Sequence, residues 1–287
     1  MAAKEELRDF LRLRRARLSP ADVGLDADRG PRRVPGLRRE ELAQLAGLSV
    51  DYYTRLEQGR DINVSEDVLR AVANALQLRE DERVHLLDLA RPTRARRRPT
   101  AAAPQRVRAG VCTLLDALPT PAFVLGRRLD VLATNRMARA LLCDFDALPR
   151  RDRNHARWVF LDPVARERYL DWEAVARENV ATLRMHAGRY PDYLELSALV
   201  GELSVKSPDF ASWWADHEVL RRSHGTKRYH HPTVGELTIA YEALPLPDDI
   251  DQVLFIYTAE PGSPSAQALQ LLASWTLPGV DALGGSR

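Results

Sequence analysis

Lysine is nearly missing from this chain: three residues (Lys4, Lys206, Lys227) among 42 basic side chains. That shortage reflects a GC-rich coding bias as readily as phosphate chemistry and carries no argument. Other scarcities exclude more. Two cysteines, Cys112 and Cys143, are too few for a disulfide framework or a four-ligand zinc site and read as small buried thiols in a reducing compartment. No window approaches the ~18 uninterrupted apolar residues of a membrane span, and the opening MAAKEELRDF lacks the basic-then-apolar layout of a secretion signal. A cytoplasmic protein with no membrane partner is expected. The chain also lacks an excess of either charge: 42 basic against 40 acidic residues leave +2, which by itself argues against a broad nucleic-acid binder. What is present is ordinary globular material, 45% hydrophobic over 287 residues, enough for two domains at roughly 150 residues each.

The charge is unevenly placed. Residues 1–100 hold 21 basic and 17 acidic side chains, or +4, and the remaining 21 and 23 give −2. Between them lies RPTRARRRPTAAAPQRVR, Arg91 to Arg108, with seven arginines, three prolines and no acid. This composition suits an extended solvated linker, either a plain spacer or an arm that also touches phosphates. The expected domains are 1–90, a linker at 91–106, 107–276, and a flexible tail at 277–287.

In the first domain Leu7, Phe10, Leu11 and Leu18 recur at helical steps and predict a helix from Glu5 to Leu18, broken by Pro20 and Gly24. The segment PGLRREELAQLAGLSVDYYTRLEQGR then predicts two short helices. The first, about Arg38 to Ala46, has Leu37, Leu42 and Leu45 with Ala46 as its inner face; Gly47 supplies the turn; Ser49 caps a second helix from Val50 to Gln58 with Tyr53 and Leu56 inside; Gly59 stops it. Two such helices joined by a glycine-bearing turn describe a helix-turn-helix. Further helices are expected over Ser65–Leu76 and Glu80–Ala90.

The string EELAQLAGLSVDYYTRLEQGR followed by SEDVLRAVANALQL resembles the lambda-repressor-like, Xre-type DNA-binding domain over about residues 4 to 90. The resemblance implies five packed helices with the third in the major groove, and a double-stranded DNA operator as partner. Ser19 to Gly36 is longer than the usual first connection. Carried over by position, Val50, Asp51, Thr54 and Arg55 are the candidate base readers. Arginine can donate twice to guanine, aspartate accept from cytosine and valine meet a thymine methyl, each good polar pair discriminating by about 1–3 kcal/mol. Arg38, Arg39, Ser49, Tyr52 and Arg60 are candidates for phosphate contact. Glu57 would repel phosphate and is expected to pair with an arginine such as Arg38.

Beyond the linker, a helix is expected over Val107–Leu118, then two short strands within PAFVLGRRLDVLATN around a turn at Gly126–Arg128, and a helix at Asn135–Leu142. Helices over Asp171–Met185, Leu194–Leu203 and Ser207–Leu220 follow. Strands at Lys227–His231, Leu237–Tyr241 and Val253–Thr258 and a helix at Ser265–Trp275 complete the order. That order suits an antiparallel sheet with helices on one face. WWADHEV, KRYHHPTVGELTIAYEALPLPDD and VLFIYTAEPGSPSAQALQLLASW resemble the C-terminal domain of MmyB-like transcription regulators over about residues 106 to 276. The resemblance implies a multidomain protein, an all-α five-helix domain followed by an α+β PAS-like domain, whose apolar cavity takes a hydrophobic small molecule such as a fatty acid. Phe123, Trp158, Phe160, Trp213, Trp214, Tyr241 and Phe255 are the candidate lining, although aromatics at such spacings also build cores.

Signatures of catalysis are missing. His217, His224, His230 and His231 have no zinc-motif spacing, there is no GxSxG turn, and Gly279, Gly284 and Gly285 sit in the tail and make no phosphate loop. His217, expected on a helix, reads as a hydrogen-bonding partner of the core. No metal, no cofactor beyond a fatty-acid-like ligand, and no enzyme activity are expected. Two functions remain: a sequence-specific transcription factor responsive to a small molecule, acting as a homodimer, or a helix-turn-helix protein used for protein–protein regulation, as in an anti-repressor or antitoxin.

Overall fold

The computed structural model describes residues 2–25, 36–60, 64–90, 105–219 and 223–276. Most of the linker, the middle of the Ser19–Gly36 stretch and the expected tail lie outside them. The chain forms two compact units: one draws on Met1–Thr100, Arg184–Ala198 and Ser212–Arg221, the other on Ala101–Leu183, Leu199–Ala211 and Arg222–Arg287.

Five helices begin the first unit: α1 (Ala2–Arg17), α2 (Arg39–Leu45), α3 (Val50–Glu57), α4 (Glu66–Ala75) and α5 (Glu80–Ala90). Their starts are written in short polar side chains. Ser49 Oγ accepts from the Tyr52 amide at 3.2 Å and Ser65 Oγ from the Val68 amide at 3.3 Å, each satisfying a donor that the first helical turn leaves unpaired. Gly47 joins α2 to α3 at φ +67, a left-handed conformation that costs side-chain-bearing residues about 1 kcal/mol or more. Phe10, Leu11, Leu37, Leu42, Tyr53, Leu56 and Val72 are fully buried and form one core. These helices match the expected ones to within three residues at each end.

The rest of the chain carries α6 (Ala109–Ala117), β1 (Ala122–Leu125), β2 (Val131–Thr134), α7 (Arg136–Leu141), α8 (His155–Leu161), α9 (Pro163–Arg168), α10 (Trp172–Arg189), α11 (Leu194–Lys206), α12 (Pro208–Ala215), β3 (His224–His231), β4 (Gly235–Leu246), β5 (Asp249–Thr258) and α13 (Pro264–Trp275). The five strands form one antiparallel sheet ordered β2-β1-β5-β4-β3. This is the α+β, PAS-like architecture that the resemblance implies.

Alternation along β4 sets the sheet's two faces: Leu237, Ile239, Tyr241 and Ala243 are buried while Glu236, Thr238, Ala240 and Glu242 are exposed. Register places Phe123 opposite Phe255 and Phe255 opposite Ala243, so these residues share the buried face. Helices do not keep to one face, as the sequence suggested. Val111 and Leu115 of α6 pack on Ala122, Val124 and Leu254, the opposite side of the same strands.

Three further expectations are corrected. α8 and α9, 7 and 6 residues long, were not foreseen. All three C-terminal strands are longer than their apolar cores, because exposed residues such as Glu236 extend the ladder without contributing apolar signal. α12 stops at Ala215 instead of Leu220, and His217 adopts φ +50 outside any helix.

Candidate nucleic-acid interface and ligand region

On α3, positions 50, 51, 54 and 55 fall on one side of the helix and 53, 56 and 57 on the other. The inner set, Tyr53, Leu56 and Glu57, is buried. Val50, Asp51 and Arg55 are exposed, Val50 at 48%, and Thr54 is half-buried. Of the other candidates, Ser49, Arg39 and Arg60 are exposed and Arg38 and Tyr52 half-buried. Ser49, at the start of α3, and Arg39, at the start of α2, lie at helix N-termini, where backbone amides favour an anion.

Beneath them sits a buried carboxylate. Glu57, 1% exposed, accepts from Arg15 Nε at 2.8 Å and Nη2 at 3.1 Å, from Arg39 Nε at 2.8 Å and from the Tyr53 hydroxyl at 2.9 Å. Burial pushes its pKa up, but Arg15, Tyr53 and Arg39 outweigh burial and hold it below the ordinary value. The expected partner Arg38 is corrected to Arg15 and Arg39: Arg38 lies beside Glu40 at 3.6 Å, and its amide donates to Glu41 Oε2 at 2.7 Å. Arg39 is 45% exposed at the side chain even while bound. Its guanidinium is thus held in place at the surface, ordered before any partner arrives. Arg15 escaped the sequence reading, yet its signal was there: it follows Leu7 and Leu11 at four-residue steps and lies in phase with the apolar stripe of α1.

The seven aromatic candidates divide. Phe123 stacks on Phe255 at 5.3 Å, Tyr241 lies 6.1 Å from Phe255, and His155 bridges to Trp158, 5.8 Å from it and 6.2 Å from Phe123. These four form one layer on the buried face of the sheet. Phe160 packs instead against Phe210 at 5.1 Å and Trp172 at 6.0 Å. Trp213 and Trp214 belong to the helical unit, where the Arg184 guanidinium lies 4.0 Å from the Trp214 ring.

Polar groups that the sequence did not single out run through the aromatic layer. His155 sits between Asn179 Oδ1 at 2.9 Å and the Tyr169 hydroxyl at 3.2 Å; burial first, then the charge of Lys227, lowers its pKa to about 4, so it is neutral. Lys227 is buried 3.4 Å from Glu178 and 4.8 Å from the Tyr241 ring centre. Burial depresses its pKa, but Tyr257 and Glu178 more than offset this and the ammonium stays charged. Among the described residues no three His, Cys, Asp or Glu side chains are grouped to hold a metal ion, and no helix is long and apolar enough to cross a membrane.

Comparison with known proteins agrees with this division of labour. A helix-turn-helix domain family matches residues 6–86, and the MmyB-like transcription regulator ligand binding domain matches residues 107–272. No curated protein matches the chain. The second family match alone takes in more than half of the 287 residues, and the first covers the helices that present Arg39 and Arg55; the chain belongs to the MmyB-like transcription regulators and is a DNA-binding regulator of transcription.

Proposed function

We propose that the protein reads a two-fold DNA operator with α3 and answers to a hydrophobic, fatty-acid-like molecule held by the sheet unit. The observation that carries the first half is the outward face of α3, with Val50, Asp51 and Arg55 exposed above a fully buried inner face. In this reading Val50, Asp51, Thr54 and Arg55 meet base edges, while Arg38, Arg39, Ser49, Tyr52 and Arg60 meet phosphates and set the register without specifying sequence. One such module reads few base pairs, so a homodimer on half-sites about one helical turn apart supplies affinity and specificity.

For the ligand, the support is the buried layer of Phe123, Trp158, Tyr241 and Phe255, aromatic rings with His155 and Lys227 set among them. Trp158 Nε1 is buried without a hydrogen-bond partner among the described residues and would serve the polar end of a guest. Phe160, Trp213 and Trp214 fall outside this lining. A cytoplasmic location follows from the DNA partner and accords with the free thiols Cys112 and Cys143.

The test is a gel shift on DNA from the gene's own upstream region at two salt concentrations. Affinity falls steeply with salt if several phosphates are neutralised, and no shift even at low salt overturns the reading. Light scattering reports the dimer, and native mass spectrometry of the purified protein reports a co-purified lipid-sized guest.

A further inference from the structure

The helical unit is not closed by its own five helices. Residues 216–219, well beyond the helix-turn-helix match, lie against α1 and α5 as a strap. Three arginines of the helix-turn-helix region donate to its backbone: Arg17 Nη2 to Asp216 O at 3.1 Å, Arg14 Nη2 to His217 O at 2.8 Å, and Arg79 Nη2 to Val219 O at 3.3 Å. Val219, fully buried, enters the same core as Leu7, Phe10 and Leu86. The end of α10 closes on the bundle as well. Arg184, 1% exposed, pairs with Glu6 of α1 and donates to His217 Nδ1 at 2.9 Å, and a Cβ on Gly188 would come within 2.5 Å of His85 Cε1 on α5.

Two features mark the strap as releasable. It is held by three hydrogen bonds to its carbonyls, by Arg184 and Glu6 on His217 Nδ1 and by one apolar anchor, and His217 at its centre has φ +50, an uncommon conformation for a residue other than glycine. Its hold also touches the DNA-facing side through adjacent residues of α1: Arg14 grips the strap, while Arg15 grips Glu57, which in turn orders Arg39.

We propose that residues 216–219 are a releasable strap by which the ligand-binding region sets the order of α1, and through Arg15 and Glu57 the order of the DNA-facing arginine Arg39. The proposal rests on the DNA-binding reading only for its consequence. The end of α10 and residues 216–219 both lie within the stretch that matches the ligand-binding domain family, so that region itself supplies the elements that close the bundle. A coupling of this kind needs one element with two states that both sites bias.

Hydrogen exchange of the full chain, read by mass spectrometry, tests the strap without any DNA. Val219→Ala is expected to speed exchange about tenfold or more in α1, the start of α5 and α3, with β3 to β5 unchanged. Faster exchange confined to 212–219 means that the strap is a passive cover and overturns the proposal. If exchange rises everywhere, Arg79→Gln decides, since it leaves the core volume intact and removes the donor to the Val219 carbonyl together with one of the two arginines on Glu82, the other being Arg14: the α1 and α3 response must remain, and its absence overturns the idea. On the upstream duplex, Val219→Ala should bind about fivefold or more weakly than wild type. Equal affinity overturns the route to Arg39, whereas a wild type that binds no duplex refutes the DNA-binding reading and leaves the exchange results standing.

Discussion

Glu57→Gln is the most informative single change in the helical unit, because it removes a charge without removing volume. The wild-type carboxylate takes four hydrogen bonds, two of them from Arg15, whose side chain is only 10% exposed. Glutamine can accept one or two of these and offers an NH2 that faces cations. Leaving one member of a buried pair uncompensated costs about 3–5 kcal/mol. Arg15 keeps its bond to Leu37 O at 2.6 Å, which places the expected loss at the lower end, about 3 kcal/mol. For a unit of this size that is a fall in Tm of roughly 12–24 °C in its transition, at 4–8 °C per kcal/mol. Calorimetry with far-UV circular dichroism measures it. The pH dependence adds a signature: Glu57 has a depressed pKa in the fold, so its stabilisation is full above the ordinary carboxylate range and is lost as pH falls below about 4.5. The variant should lose stability at neutral pH and less of it on acidification. A loss under about 1 kcal/mol at pH 7 would refute the claim that this carboxylate organises the α1, α2 and α3 junction, because an exposed pair costs no more than that.

Other changes separate roles. Arg39→Ala leaves Glu57 with Arg15 and Tyr53, so stability should drop by less than about 1 kcal/mol, while DNA affinity weakens alike on all sequences and the salt slope falls by about 1. Arg55→Ala should instead relax sequence preference, seen in binding to a panel of single-base operator variants; equal loss of specificity from both would show the roles misassigned. Gly47→Ala forces a side chain into φ +67 and should cost about 1 kcal/mol or more in chemical denaturation, and a neutral result would mean that the turn relaxes. The buried neutral histidines make both units acid-sensitive. His155 titrates at about 4 and His85 at about 3, both pushed down first by burial, so stability is full above pH 6.5 and declines as pH falls toward those values. His155 alone accounts for about 3 kcal/mol of that decline. A stability profile flat between pH 6.5 and 4 would contradict the burial.

Local patterning was enough for the elements of the DNA-binding half. Ser49 and Ser65 are caps because a short hydroxyl side chain satisfies a first-turn amide wherever it precedes a helix, and Gly47 turns the chain because the left-handed region costs it nothing. The same locality explains the near coincidence of α5 with its expected range and the outward face of α3. The near-zero net charge also sorted itself by position, with the basic excess on the half that carries Arg39 and Arg55.

Partner choice was beyond that reach. Arg15 to Glu57 spans 42 residues, Arg184 to Glu6 spans 178, and Lys227 to Glu178 joins a strand to a helix; no periodicity within either segment encodes the pairing. The sequence therefore foresaw an arginine beside Glu57 without fixing which one, grouped seven aromatics where four converge, and left Val219 unmarked. Helices and caps follow from interactions within a few residues, so the order of amino acids settles them. A buried charge is settled only by which opposite charge the folded chain brings within 3–4 Å, because in a low-dielectric interior that proximity decides between a stabilising pair and a costly orphan.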